Sequence, residues 1–190
     1  MKMNFLKGAL ATTIVLSLVA FTNAIEKKKV NIKESNIQWE GEKLTGSHEG
    51  TIDLKDGYFL MDDGELVGGE FTADMTTINV TDLEGDSRDK LMGHLRSDDF
   101  FGVNNYETAK FVINTVAKKG DVYGVSGDLT IKGKTNPIAF DLKMEGNSAT
   151  TNLTIDRTKY DVRYGSNSFF DNLGDKAIYD EFNLAVNLKF

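Results

Sequence analysis

The segment 181–190 reads EFNLAVNLKF. Phe182, Leu184, Val186, Leu188 and Phe190 fall on every second position, with Glu181, Asn183, Ala185, Asn187 and Lys189 between them. Successive side chains of an extended chain point to opposite faces, so this is a strand with one apolar and one wet face. The same period recurs upstream. PIAFDLKME (137–145) sets Ile138, Phe140, Leu142 and Met144 against Asp141, Lys143 and Glu145. Tyr123, Val125, Leu129 and Ile131 share one face of YGVSGDLTI, and Leu153, Ile155 and Arg157 share one face of ATTNLTIDR.

Glycine-bearing runs punctuate these segments: KDGY at 55–58, DDGE at 62–65, KKGD at 118–121 and EGNS at 145–148. Each suits a tight hairpin, where glycine supplies a positive φ. Strands joined by short turns pair as antiparallel neighbours. Gly46, Gly50, Gly68, Gly69 and Gly127 lie inside strand-like runs and mark the bends or bulges of a curved sheet. Leu91 and Leu95, four apart in DSRDKLMGHLR, predict one short helix over 86–96, weakened by Gly93. The pattern predicts one all-β domain, an antiparallel barrel or strongly curved sandwich with a single short helix. Barrels of about eight strands lie at the border between filled and ligand-holding.

The first 24 residues stand apart. Lys2 and Lys7 precede an apolar run from Gly8 to Phe21, closed by Thr22-Asn23-Ala24. This is the layout of a secretory signal peptide, too short for a comfortable membrane span, and cleavage is expected after Ala24. The mature domain is then 25–190. The chain has no cysteine, so neither a disulfide framework nor a thiolate site is open to it. Its net charge of −7 moves to −9 once Lys2 and Lys7 are removed. An acidic product of this kind argues against nucleic acid as a partner, because phosphate binding needs clustered cations. No apolar run in 25–190 is long enough to predict stable membrane insertion.

Chemistry-bearing residues are sparse. The only histidines are His48 and His94. His48 shares parity with Gly46, Gly50, Ile52 and Leu54, which fits either a hydrogen-bonded core histidine or a polar group aimed into a cavity. His94 sits at the predicted helix end, where a cation is favoured. Neither belongs to an HxH or HExxH pattern, so no metal ligand is assigned. There is no GxSxG elbow, and the adjacent carboxylates Asp62-Asp63, Asp98-Asp99 and Asp180-Glu181 point to opposite faces if extended. KGKT at 132–135 reads as a hairpin, not a phosphate loop. No catalytic residue and no cofactor is expected. Arg157 follows the inward parity of Leu153 and Ile155, and an inward arginine needs an anion: Asp156, Asp161 or a ligand headgroup.

SHEG (47–50), GHLRSDDFF (93–101), YETAKF (106–111), GDLTIKGKT (127–135) and DRTKYDVRYG (156–165) together resemble the YceI-like family, in that family's order. Trp39 and FTADM (71–75) fit as well. The resemblance implies a lipocalin-like antiparallel β-barrel, exported to the periplasm, that holds a long apolar chain such as a polyisoprenoid. It also implies transient contact with membrane proteins of the cytochrome b561 type, and hence a link to isoprenoid quinones; it leaves room for a homodimer. Two positions depart from the family pattern: Glu107 stands where proline is common, and Asp161 where glycine is common. On this reading Trp39, Phe71, Phe100, Phe101, Phe111, Leu129, Ile131, Phe140, Leu142 and Phe182 line the cavity. His48, His94 and Arg157 are the polar candidates for a headgroup. GHLRSDDFF becomes a plug at one barrel end, with Phe100 or Phe101 turned inward toward Phe111 and His94 as a hydrogen-bonding spacer. The rival readings are an enzyme or accessory acting on a hydrophobic substrate, and a filled-core interaction module.

Overall fold

The computed structural model describes residues 24–190, so the expected signal segment lies outside the described residues apart from Ala24. The strands are β1 (Glu26–Lys29), β2 (Asn36–Lys43), β3 (Gly46–Asp62), β4 (Glu65–Val80), β5 (Thr108–Lys119), β6 (Val122–Ile131), β7 (Lys134–Glu145), β8 (Ser148–Asp156) and β9 (Ile178–Lys189). One helix, α1 (Gly85–Arg96), connects β4 to β5. Every pairing is antiparallel. The order runs β3-β2-β9-β8-β7-β6-β5-β4, and β4 returns to pair with β3. The result is an eight-stranded closed barrel with one short helix, as the alternation and turns predict. The short β1 pairs with the second half of β3, while β2 pairs with the first half.

The hairpin chemistry explains the closures. Asp63 and Gly64 have φ of 48° and 80°, and Lys132 and Gly133 have 48° and 70°. Positive φ at both central residues is the two-residue turn whose twist matches the flanking strands. Gly120 and Gly146 close the turns at KKGD and EGNS. KDGY is different: β3 runs straight through 55–58, so the hairpin expected there is absent. The register with β4 slips between Leu54 and Asp56 instead. This bulge inserts one residue, so Leu54 and Phe59 both face inward although an odd number of positions separates them.

Glycine inside the strands makes room for rings. A Cβ on Gly50 would lie 2.6 Å from the Trp39 ring and 1.8 Å from the Asn79 carbonyl oxygen. One on Gly127 would lie 2.8 Å from the Phe111 ring and 2.1 Å from the Val112 carbonyl oxygen. Bulges flank both sites, between Thr51 and Asp53 and between Ile113 and Thr115. An aromatic ring of a neighbouring strand therefore lies over each bare stretch of backbone, which lets the wall bend sharply while staying covered.

Candidate functional site

Three apolar groups are ranged along the barrel from end to end. Under α1, Trp39, Ile78, Val80, Leu95, Phe100 and Val162 form a buried cluster. At the other end Phe59 is fully buried, with Val30, Leu66 and Leu188 in the same cluster. Its ring meets Phe71 at 4.9 Å and Phe190 at 5.0 Å, both edge-on. Leu129, Ile131, Ile155 and Tyr160 form the third, with Phe101, Phe111 and Phe182 packed against it.

Between the ends lies a cavity of about 150 Å³. Phe71, Phe101, Phe111, Leu129, Ile131, Phe140, Leu142 and Phe182 line it, as do Phe59, Ile113, Ile138, Thr151, Leu153 and Leu184. The wall is almost wholly apolar. Lys110 contributes to it, but its ammonium pairs with Glu70 at 2.9 Å on the outer face. Among the described residues, Thr151 is the one neutral polar residue in the lining. Phe71, Phe111, Phe140 and Phe182 are only half-buried, because they border this space rather than a filled core.

Trp39 and Phe100 are not among the lining residues. Both belong to the cluster beneath α1, where the Trp39 Nε1–H donates to the Asn79 carbonyl at 3.2 Å. Phe101 is the residue of the GHLRSDDFF segment that reaches the cavity, 4.9 Å from Phe100 and 6.4 Å from Phe182. The plug is fastened by cations on carbonyls. Arg88 Nε donates to Val80, and Arg96 Nη2 donates to Ile78 at 2.9 Å, tying α1 to β4. Lys132 Nζ donates to the Asp98 carbonyl at 2.8 Å, tying the helix exit to the β6–β7 turn.

The three polar candidates do not converge on the cavity, and none lines it. His48 Nδ1 lies 2.7 Å from Asp82, near the solvent. Burial works to raise the Asp82 carboxyl, but hydrogen bonds from His48 and from the Glu49 N–H outweigh it and hold the group below the usual carboxylate value. His94 packs its ring against Phe100 and Tyr164, at 5.4 and 4.3 Å. Its Nε2 is buried without a partner, so it fills space by its ring rather than as the expected hydrogen-bonding spacer. Burial pushes its pKa down, against a weaker opposing pull from Asp99.

Arg157 is buried, and its fork is taken up by its own chain. Nη1 donates to the carbonyls of Val162 and Tyr164, Nε to Tyr179 and Nη2 to Ile178. Its anion is Asp180 at 3.5 Å, a partner that parity along 149–157 could not indicate. Arg157 thus holds the segment 161–180 against the barrel, with four of its five N–H groups spent on these carbonyls and its charge set against Asp180. Beside it the Tyr160 hydroxyl is buried without a partner, and burial pushes its pKa up to about 12. Among the described residues no cluster of three or more histidine, cysteine or acidic side chains could hold a metal ion.

A small closed antiparallel barrel, stoppered by a helix and lined by apolar side chains, defines a class of proteins with an internal apolar chamber. The YceI-like domain matches residues 29–190, and the chain belongs to that family. It is 35% identical over 97 residues to Protein YceI of Shigella flexneri, covering 51% of this chain and 49% of that one. The chain thus spans about half the length of the curated relatives it matches. Its fold is similar to BcnA of Burkholderia cenocepacia, with a TM-score of 0.64 at 21% identity over 84% of this chain and 98% of that one. A polyisoprenoid binding domain from Saccharophagus degradans is similar at a TM-score of 0.60 and 14% identity, covering 87% and 97% of the two chains.

Proposed function

We propose that the protein is an exported, non-enzymatic binding protein that holds one long apolar chain, a polyisoprenoid, isoprenoid quinone or similar lipid, inside its barrel. The observation that carries this reading is the apolar cavity between the Phe59 and Phe101 ends. Each CH₂ moved from water into such a space contributes about 0.8 kcal/mol, so a long chain is held without many polar contacts. The relative from Saccharophagus degradans, described as a polyisoprenoid binding domain, supports the same ligand class. The separation of His48, beside Asp82, from His94, between Phe100 and Tyr164, argues against a shared acid–base site. The basic and apolar stretches of residues 2–21 support export, and delivery or storage of lipid in the periplasm follows as the role.

The test is mass spectrometry of protein purified gently from its own cells, first under native and then under denaturing conditions. A lipid released in one-to-one ratio on denaturation is the expected result and identifies the cargo. A clean apoprotein that also takes up no polyprenol, quinone or fatty amide would replace the carrier reading with a filled interaction module.

A further inference from the structure

Among the described residues, neighbouring barrel strands share six or more paired positions everywhere except between two strands. β6 and β7 pair along ten positions, from Val122 opposite Lys143 to Ile131 opposite Lys134. β8 and β9 pair along nine. β7 and β8 pair only at Lys143–Thr150, Met144–Ala149 and Glu145–Ser148, beside their turn, and then part. Continuing that register would set Asp141 opposite Asn152, Ala139 opposite Thr154 and Pro137 opposite Asp156, but no ladder forms there. Two side chains bridge the split. Thr151 Oγ donates to the Asp141 carbonyl at 2.8 Å, and Asn136 Nδ2 donates to the Lys159 carbonyl at 2.8 Å. The seam lies between these clasps.

The seam is built into the sequence. The chain's single proline, Pro137, lies on β7. The two-residue turn at Lys132-Gly133 makes Ile131–Lys134 a hydrogen-bonded pair, so the pairing alternates and Asp128–Pro137 is a non-bonded pair. The missing N–H of Pro137 is therefore the one that would have pointed at β8. A proline is tolerated in a sheet where the strand is an edge, and here it keeps the edge from closing.

We infer that the β7–β8 seam is the passage through which a single-chain amphiphile enters the barrel, and that its polar end stays in the seam. This rests on the carrier reading above. The ends of the barrel offer no easier route: one is covered by α1 and Phe100, the other by Phe59 beneath Val30 and Phe190. From inside, the cavity reaches the seam at Ile138, Phe140, Thr151 and Leu153. Parting any of the longer ladders would break their backbone hydrogen bonds, and each backbone group left unpaired and dry is costly. At the seam those groups already lack ladder partners, so they supply donors and acceptors to a hydroxyl, phosphate or carbonyl. They stand beside Thr151, whose hydroxyl is, among the described residues, the only neutral polar side-chain group in the lining. At about 150 Å³ the cavity as it stands is benzene-sized, so one chain enters only as lining rings such as Phe140 and Phe182 move aside, and two acyl chains have no room.

The chain has no cysteine, so a pair introduced across the seam is unique. Ala139→Cys with Thr154→Cys, both on the outer face, is cross-linked with a short bismaleimide and the link verified by intact mass. Gln38→Cys with Ala185→Cys, opposed where the β2–β9 ladder keeps one register from Asn36 to Gly41, is the control. The probe is geranylgeranylamine dansylated on nitrogen, followed by stopped-flow fluorescence. Uptake and release slowed at least ten-fold in the seam-linked protein alone, with no binding of dansyl phosphatidylethanolamine, is the expected result. Wild-type rates in the seam-linked protein, or equal slowing in the control, overturn the passage. Equal binding of the two-chain lipid overturns the single-chain assignment. No probe binding by the uncross-linked protein overturns the carrier reading itself, and the inference with it.

Discussion

Phe101, from the exit of α1, and Phe182, from the middle of β9, meet edge-on at 6.4 Å at the helix end of the cavity. One belongs to the plug and the other to the wall, so their contact sets how far a bound chain can run toward α1. Phe101→Ala removes the stopper while Phe100 and Leu95 still hold the helix. The variant is expected to fold, to lose about 3 kcal/mol at most because the ring borders space already empty, and to prefer a longer chain than the wild type. Binding a polyprenol series of increasing length to both proteins checks this. An unchanged preference would place the end of the chain elsewhere.

Phe140 faces the cavity from β7 and packs against Phe111, with centroids 5.3 Å apart. An ionised carboxylate there has no cation among the lining groups, because the Lys110 ammonium is engaged with Glu70 on the outside. Phe140→Glu is therefore expected either to unfold the barrel or to empty it, whereas Phe140→Leu keeps both fold and cargo. Circular dichroism with denaturing mass spectrometry separates the cases. A folded Phe140→Glu protein that still carries lipid would refute the inward placement of this side chain.

Arg157→Lys is not a conservative change here. Its guanidinium serves four carbonyls, on Val162, Tyr164, Ile178 and Tyr179, and a lysine ammonium carries three donors from one point. Each buried carbonyl left without a donor costs about 1–3 kcal/mol. Urea denaturation is expected to show that loss, and limited proteolysis to cut within 161–180 before the barrel yields. Equal cleavage of variant and wild type would mean that another contact holds the segment.

Period-two alternation made the strands legible, and with them the lining residues Phe140, Leu142 and Phe182. Leu153 and Leu184 obey the same parity and were available to that reasoning. Phe59 was not. Reading KDGY as a turn cut β3 in two, and only pairing with β4 shows that Gly57 sits in a regular ladder opposite Phe71, while the bulge that flips the parity falls at Lys55. Trp39 has inward parity too, but parity gives the face and not the height along the barrel. Its height, beneath α1, follows from the register Trp39–Leu184 and Trp39–Gly50. The partners of Arg157 lie 5 to 23 residues onward, in a segment with no periodicity to read. The β7–β8 seam had one local sign, Pro137, whose meaning depends on which side of the strand the missing N–H falls.

His94 gives a pH dependence whose sign can be worked out. Burial lowers its folded pKa below the ordinary 6.5. Between those two values the unfolded chain binds the extra proton and the folded chain does not, so stability falls as pH drops through that window. The carboxylates held low, Asp74 and Asp82, act only below their ordinary 3.8 and leave the window clear. His94→Phe keeps a ring between Phe100 and Tyr164 and removes the unpartnered Nε2. The difference in Tm between variant and wild type is expected to widen, in favour of the variant, from about pH 7.5 to about pH 5. A constant difference would mean that His94 takes its proton as readily folded as unfolded.

Asp161 tests what a side chain costs in the left-handed region, where its φ is 62° and a Cβ is disfavoured. Aspartate tolerates that region better than most residues, and its carboxylate accepts from Arg163 Nε. Asp161→Gly relieves the backbone but loses the ion pair and frees the unfolded chain, so its stability is expected within about 1 kcal/mol of wild type. Asp161→Val keeps the Cβ, adds branching and removes the carboxylate, and is expected to lose about 1–3 kcal/mol. The turn also carries the Asp161 carbonyl toward Lys132 Nζ at 3.4 Å, next to the Asp98 carbonyl that anchors the helix exit. A strained Val variant is therefore expected to loosen the plug as well, seen as faster amide exchange at 98–102. Thermal melts of the two variants that move together would instead assign the effect to the lost carboxylate and not to the backbone.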